Sequence, residues 1–361
     1  DSRFFMFSRY NRLLAEKRSY ASPAQPDTKL LKAENTPMTL AEHSEHHSHP
    51  LPVRPPAITE RIAELKSYLA ILSKQGGPEL ADYSQLDGWM TELHTWKRQR
   101  LINDHDLAEL RDTLGDALSP KTLQGFAYSK PHGYAGDFEI IDKIYQHQVS
   151  TNPRLTKWDV YWQNQAAAKA VRNRKAYFHA LLDEYRQAAN GRTLRILNVA
   201  SGSGRDMFEY FELTGAEDVE FVCVEQDANA IRYASALCAP HLGRIRFVNQ
   251  NALRLTLPDK FDLIWSAGLF DYFGDRLFRG MIKRLLPRLA EDGVLVIGNF
   301  SDNNPTQHYM TFFDWILRHR SRSDLLNLAR GSGVSLERVH VGSEHEGVNL
   351  FLHLTATPRI N

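Results

Sequence analysis

The sequence predicts an α/β fold in two parts: a helical region, then a doubly wound, mostly parallel sheet closed by an antiparallel hairpin. Three observations support this. Leu194 to Asp206, LRILNVASGSGRD, is an apolar run, a small-residue turn and the start of a helical run, the opening unit of a doubly wound domain. Downstream, the short apolar runs EFVCVE, RIRFVN and FDLIWS alternate with segments of helical period. Upstream, Ile58, Ile62, Leu65, Leu69 and Leu72 recur at spacings of three and four, the stripe of an amphipathic helix.

Composition bounds the function. The 361 residues are 42% hydrophobic and 11% aromatic, enough for one large domain and a smaller one. A net charge of +1 gives no general attraction to nucleic acid or anionic membrane, and no apolar run has the length of a membrane span. Cys223 and Cys238 cannot make a disulfide framework or a zinc site alone and read as small hydrophobes. No metal site is expected, and a reducing, cytoplasmic setting is.

The elements follow in order. The chain starts at Asp1. Arg3, Arg9, Arg12, Lys17 and Arg18 give residues 3–20 a transit-like composition, although an unstructured extension is the expected reading, and Met38 would serve as an internal start. Residues 21–57 are rich in proline and polar residues, and His43, His46, His47 and His49 lack any folded context for a metal. Residues 1–54 are therefore expected to be a disordered extension. A helical cap is expected over 55–190, opening with Thr59 as a cap, with helices to Gln75, over 83–98 and over 104–115. Within GFAYSKPHGYAGDFEIIDKIY, residues 128–138 form a glycine-rich loop ahead of a helix capped by Asp137, and its aromatic, histidine and acidic side chains also suit a ligand-facing lid. Residues 156–186 read as one long helix, broken at most once. The α/β domain is expected over 191–358, with strands 220–225, 244–249 and 261–266, a helix over 278–289, a turn at Asp292-Gly293 into the strand 294–298, and a closing hairpin of 337–341 and 348–354.

The glycine turn asks which ligand it holds. Dinucleotide sites want G-x-G-x-x-G, and Met207 stands at the third glycine, which argues against them. Glu225 closes the second strand, where a carboxylate accepts the hydroxyls of a ribose.

Asn251-Ala252, the FDLI strand followed by SAGLF, the LAEDGVL turn and the closing hairpin together resemble class I S-adenosylmethionine-dependent methyltransferases. The resemblance implies their Rossmann-like, seven-stranded fold and S-adenosylmethionine as cofactor. It implies cofactor contacts at Asn198, Ala200, Ser201, Gly202, Ser203, Asp206, Glu225, Gln226, Asn251, Ala252 and Ser266. Two positions depart from the family: its usual acid ahead of the glycine turn is Asn198 here, and its first glycine is Ala200. PHGYAGDFEIID, WDVYWQNQAAAKAVRNRKAYF, NVASGSGRD, GNFSDNNP and EGVNLFLHL are further similar to bacterial 3-hydroxypalmitate methyl ester synthases and to the related azetidine-2-carboxylate synthases.

The resemblance leaves two chemistries and a silent alternative. The first is O-methylation of a small-molecule or fatty-acid carboxylate. An ionised carboxylate needs no base; Trp158, Trp162 and Phe178 would cover its chain and Arg172 or Arg174 would hold it, although the basic run with Lys175 also reads as a solvated helix face. The second is cyclisation of S-adenosylmethionine itself to azetidine-2-carboxylate and methylthioadenosine. It wants neutral acceptors and an aromatic face, with Tyr134, Tyr177 and Asn299 as catalytic candidates. Asp271-Tyr272 is a further candidate, and equally a helix cap. The third is a non-catalytic protein that binds the cofactor. The small-molecule partner is thus a carboxylate, a fatty acid or S-adenosylmethionine.

Overall fold

The computed structural model describes residues 54–356. The basic segment, the four histidines, Met38 and the expected extension up to residue 53 lie outside the described residues.

Among the described residues seven helices precede the sheet: α1 Pro56–Lys74, α2 Tyr83–Arg98, α3 Asp104–Asp112, α4 Leu123–Ser129, α5 Phe138–Tyr145, α6 Thr156–Asn164 and α7 Ala166–Ala188. Then come β1 Leu194–Val199, α8 Arg205–Thr214, β2 Val219–Glu225, α9 Ala228–Leu237, β3 Ile245–Asn249, β4 Phe261–Ser266, α10 Asp275–Leu285 and β5 Leu289–Phe300. Helices α11 Gln307–Phe312 and α12 Arg322–Gly331 lead to β6 Val339–Ser343 and β7 Asn349–Thr355. The strands form one seven-stranded sheet in the order β3-β2-β1-β4-β5-β7-β6. β1 to β5 are parallel, and β7 runs antiparallel to both β5 and β6. This is the expected methyltransferase-like topology.

The central strands β1, β2, β4 and β7 are largely buried and apolar because both faces are covered, while β3 and β6 at the sheet edges are partly exposed. Side chains alternate across a strand, so Leu194 and Ile196 of β1 join one core with Phe178, Trp265 and Phe351, while Leu197 and Val199 join another with Ile264, Ile297 and Leu352. A third core lies among the helices and takes in Phe300 at the end of β5 and Tyr309, Phe313 and Trp315 from beyond it. Helix α7 belongs to two of the three. Ala167, Ala170 and Val171 pack in the helical core, and Phe178, Leu181 and Leu182 pack against the sheet. Helical region and sheet therefore share one element, and its register fixes what sits between them.

Several boundaries differ from the sequence reading. The first helix starts at Pro56 behind Pro55, so Thr59 lies inside it and caps nothing. Proline suits the first helical position, where no N–H is needed. The long helix is broken once, as the sequence reading allowed, at Gln165, whose extended ψ of 145° separates α6 from α7. Asp292-Gly293 does not reverse the chain; β5 runs through it with a register irregularity against β4. The third helix, expected to run to residue 115, ends at Asp112, and α10 runs Asp275–Leu285 where 278–289 was expected.

Asp142 of α5 ties the helical region to the helix after the glycine turn. It is 2% exposed and takes a two-pronged ion pair from Arg205 of α8, with Nη2 to Oδ2 at 3.0 Å, and the Tyr233 hydroxyl of α9 donates to it at 2.6 Å. Removing one partner of such a pair strands the other charge. Asp142→Ala is expected to lower stability by about 3 kcal/mol or more, seen as a fall in the urea midpoint; an unmoved midpoint would show that the tie is incidental.

Candidate active site

The turn after β1 has a backbone that only small residues follow. Ala200, Gly202 and Gly204 all lie in the left-handed region, with φ of 56°, 57° and 69°. Ala200 thus adopts the geometry of the missing first glycine, at a cost on the order of 1 kcal/mol. Gly204 has a second reason: a Cβ there would lie 3.2 Å from Ala234 Cβ and Met207 Cε.

Glu225 fastens this turn to β2. Its Oε2 accepts from Gly202 N at 3.0 Å, and its Oε1 accepts from Gln226 N at 2.8 Å and Asp227 N at 3.0 Å. Burial pushes its carboxyl above the usual range, against these three donors, which favour the charged form. A carboxylate has about four acceptor sites, so about one is left for a ligand hydroxyl. Beside it, Gln226 Oε1 accepts from Asn251 Nδ2 at 2.9 Å, and Asn251 Oδ1 caps the short turn that begins at Ala252. The expected sugar and base contacts therefore sit together at the ends of β2 and β3.

The loop 128–138 leans over this edge. Tyr134 donates to Asp227 Oδ2 at 3.2 Å, on the Glu225 side of the turn. Tyr272, beyond β4, donates to Ala135 O at 2.7 Å and accepts from Trp315 Nε1 at 3.1 Å. Gly136, with φ of 66°, fits beneath them; a Cβ there would lie 2.5 Å from the Tyr272 oxygen and 2.9 Å from the Trp315 ring. Asp137 caps α5 as expected, accepting from Glu139 N and Ile140 N. Glu139 is held down at about 2 by its hydrogen bond to His132, 2.9 Å away.

The other half of the site centres on Arg174. It is 6% exposed, and α7 brings it to the carboxyl edge of the sheet. Its Nε donates to the Tyr145 hydroxyl at 3.0 Å and its Nη1 to Ala267 O, just past β4, at 3.4 Å. The buried carboxyls of Asp206, in the first turn of α8, and Asp271, beyond β4, both act on its charge. Burial pushes Asp206 up to about 6 and Asp271 up to about 7. Asp206 Oδ1 accepts from Met207 N, and Asp271 Oδ1 from Phe300 N at 2.6 Å. Asn198, 2% exposed at the end of β1, has a buried Nδ2 with no hydrogen-bond partner.

Other expected residues lie elsewhere or are committed to structure. Asn299 is fully buried. Its Nδ2 donates to Phe300 O and Arg318 O, and its Oδ1 accepts from Arg320 at 2.7 Å, so it anchors the segment after β5. Tyr177 stacks on Phe351 at 4.0 Å between ring centroids, with its hydroxyl 2.7 Å from His353 Nε2, so it is held against β7. Ser266 donates to Val199 O and ties β4 to β1. Arg172 donates to Gln163 at the end of α6. Phe178 stacks on Trp265 in the sheet core, and Trp158 is buried in the helical core. Ser201 and Ser203 are buried in the turn itself. Sequence reasoning passed over Tyr145 and Trp315, although Tyr145 ends the apolar-periodic run EIIDKIY that leads out of the loop.

The residues present fit S-adenosylmethionine. Glu225 would take a ribose hydroxyl and Gln226 and Asn251 the base. The open turn and the unpartnered Asn198 amide would take the amino-acid end. Among the described residues no group of three or more His, Cys, Asp or Glu could hold a metal ion, and no helix is long and apolar enough to cross a membrane.

Asp271 gives the ligand-free protein a pH dependence. The unfolded chain loses this proton near its ordinary 3.8, and the folded chain keeps it to about 7. Between those values the folded state binds more protons, so this group's contribution to stability falls as pH rises. Asp271→Asn removes the effect and keeps the acceptor for Phe300 N. Its urea midpoint relative to the parent is expected to rise between about pH 5 and about pH 8; a difference independent of pH would rule out a buried, late-titrating carboxyl.

Comparison with known proteins agrees with this fold. Residues 196–293 match a family model described as a methyltransferase domain. None of the curated proteins matches the chain. Among solved structures, a possible exported protein from Bordetella parapertussis shares the fold, with a TM-score of 0.52 and 15% identity over 84% of this chain and 99% of that one. A magnesium protoporphyrin IX methyltransferase from Synechocystis PCC 6803 with bound S-adenosylmethionine superposes less closely, with a TM-score of 0.41 and 13% identity over 54% of this chain and 85% of that one. The chain carries a class I S-adenosylmethionine-dependent methyltransferase domain.

Proposed function

We propose that the acceptor is an apolar carboxylic acid, methylated on a carboxylate oxygen. One observation supports this above the others: the buried Arg174 guanidinium at the sheet's carboxyl edge, facing two carboxyls that burial leaves partly protonated near neutral pH. A guanidinium so placed favours an incoming carboxylate, which it holds in a fixed plane with two donors.

S-adenosylmethionine supplies an electrophilic methyl group on a sulfonium. The chain's own residues have three tasks. Arg174 holds and aligns the carboxylate, which is already ionised, so neither Asp206 nor Asp271 has to take a proton. The loop bearing Tyr134, pinned through Tyr272 and Trp315, excludes water from the edge. The product is a neutral ester, so Arg174 loses its charge partner after transfer, and release is favoured.

A second reading, cyclisation of S-adenosylmethionine to azetidine-2-carboxylate, draws support from Asn198. Its neutral amide stands where the family's usual acid would keep the ligand amine protonated, and its Nδ2 has no partner. In that reading Arg174 holds the carboxylate of S-adenosylmethionine itself.

The two readings differ in products. Purified protein is incubated with S-adenosylmethionine, alone and with a series of straight-chain alkanoic acids, and analysed by mass spectrometry. The expected outcome is S-adenosylhomocysteine and a methyl ester, formed only with acid present. Methylthioadenosine and a four-membered amino acid from S-adenosylmethionine alone would replace this reading with cyclisation.

A further inference from the structure

A partly open apolar cavity of about 20 Å³ lies among α5, α6, α7, the end of β5 and the chain beyond it, lined by Ile144, Trp162, Ala168, Val171, Phe300 and Trp315 among others. Resting on the carboxylate reading above, we propose that this cavity seats the end of the acceptor's alkyl tail, so that α7 sets the length of acid the enzyme accepts.

The walls of the cavity are the backs of the site. Phe300 lines it, and the Phe300 N–H holds Asp271. Trp315 lines it, and Trp315 Nε1 holds Tyr272. Ile144 lines it, and the next residue, Tyr145, accepts from Arg174. On α7, Ala167, Val171 and Arg174 follow one another at spacings of four and three, so the cavity lining and the cation share one helix face. At a helical rise of 1.5 Å per residue, Arg174 stands about 5 to 10 Å along the axis from those two lining residues. A carboxylate on Arg174 and a chain lying against this face would bring its last carbons to the cavity. The volume is small, a little above what one water needs, so it suits the end of a chain and not a ring. Medium-length straight acids, hexanoic to decanoic, match this span, and longer ones would need the walls to move.

The cavity can be probed without the carboxylate. Binding of n-alkanols from butanol to dodecanol to the full chain is measured by titration calorimetry. Methyl transfer to the matching alkanoic acids is measured in parallel. The expected result is an affinity rising about fourfold per carbon, the worth of one buried methylene, to a maximum and then falling. Ala168→Leu, which fills the cavity, is expected to abolish alkanol binding and move the preferred acid to a shorter one. Val171→Ala, which enlarges it and carries less risk to folding, is expected to move the preference to a longer one. Affinity or turnover that shows no length optimum, or an optimum that neither substitution moves, overturns the proposal while leaving the carboxylate reading in place. Saturable alkanol binding that Ala168→Leu abolishes, with no acid methylated, supports an apolar site at this cavity and overturns the carboxylate reading instead.

Discussion

The arrangement depends on one buried charge. Arg174 is carried on a helix whose two ends are fixed in different cores, and its guanidinium stops at the open edge of the sheet. Burying a guanidinium is costly unless hydrogen bonds and opposite charge compensate it. The compensation comes from three separate elements: the Tyr145 hydroxyl at the end of α5, a carbonyl just past β4, and the fields of Asp206 and Asp271. Each lies within reach only if the helical region packs on the sheet as it does. The same cation that orders the helices against the strands is thus the group best placed to receive a carboxylate.

The site has two halves with different physics. Around Glu225 the interactions are fixed and directional. Three backbone donors meet one carboxylate, and the neighbouring Gln226 and Asn251 amides pair with each other. Such a surface is preorganised and changes little when a ligand arrives. Around Arg174 the interactions are electrostatic and incomplete, with two carboxyls titrating late because they are buried. A ligand bringing one more charge changes the balance most in that half. The loop bearing Tyr134 and Gly136 spans both halves, held at one end by Asp227 and at the other by Tyr272.

The central strands were legible because they are buried on both faces and read as mostly apolar runs. Glu225 was legible because strand end and glycine turn together specify where a carboxylate goes. Side-chain direction was harder to read. Asn299 sits at the carboxyl edge as expected, but its amide is taken by Arg318 and Arg320, from a segment with no periodicity to announce it. Tyr177 and Phe178 follow Arg174 on the same helix, yet one turns to β7 and the other to Trp265. The choice between Arg172 and Arg174 was open to sequence reasoning. Arg174 continues the face of Ala167, Ala170 and Val171, and Arg172 does not. The first-helix cap was misplaced because a Pro-Pro pair outranks a threonine three residues on.

The claim that the two halves serve different molecules is tested most directly by titrating S-adenosylmethionine into the parent protein, Glu225→Ala and Arg174→Gln. Loss of a hydrogen bond to a charged group is worth about 1.5–3 kcal/mol. The expected result is therefore a dissociation constant raised about ten- to a hundredfold by Glu225→Ala and left nearly unchanged by Arg174→Gln. Equal loss of affinity in both variants would contradict it, placing the carboxylate of S-adenosylmethionine itself on Arg174.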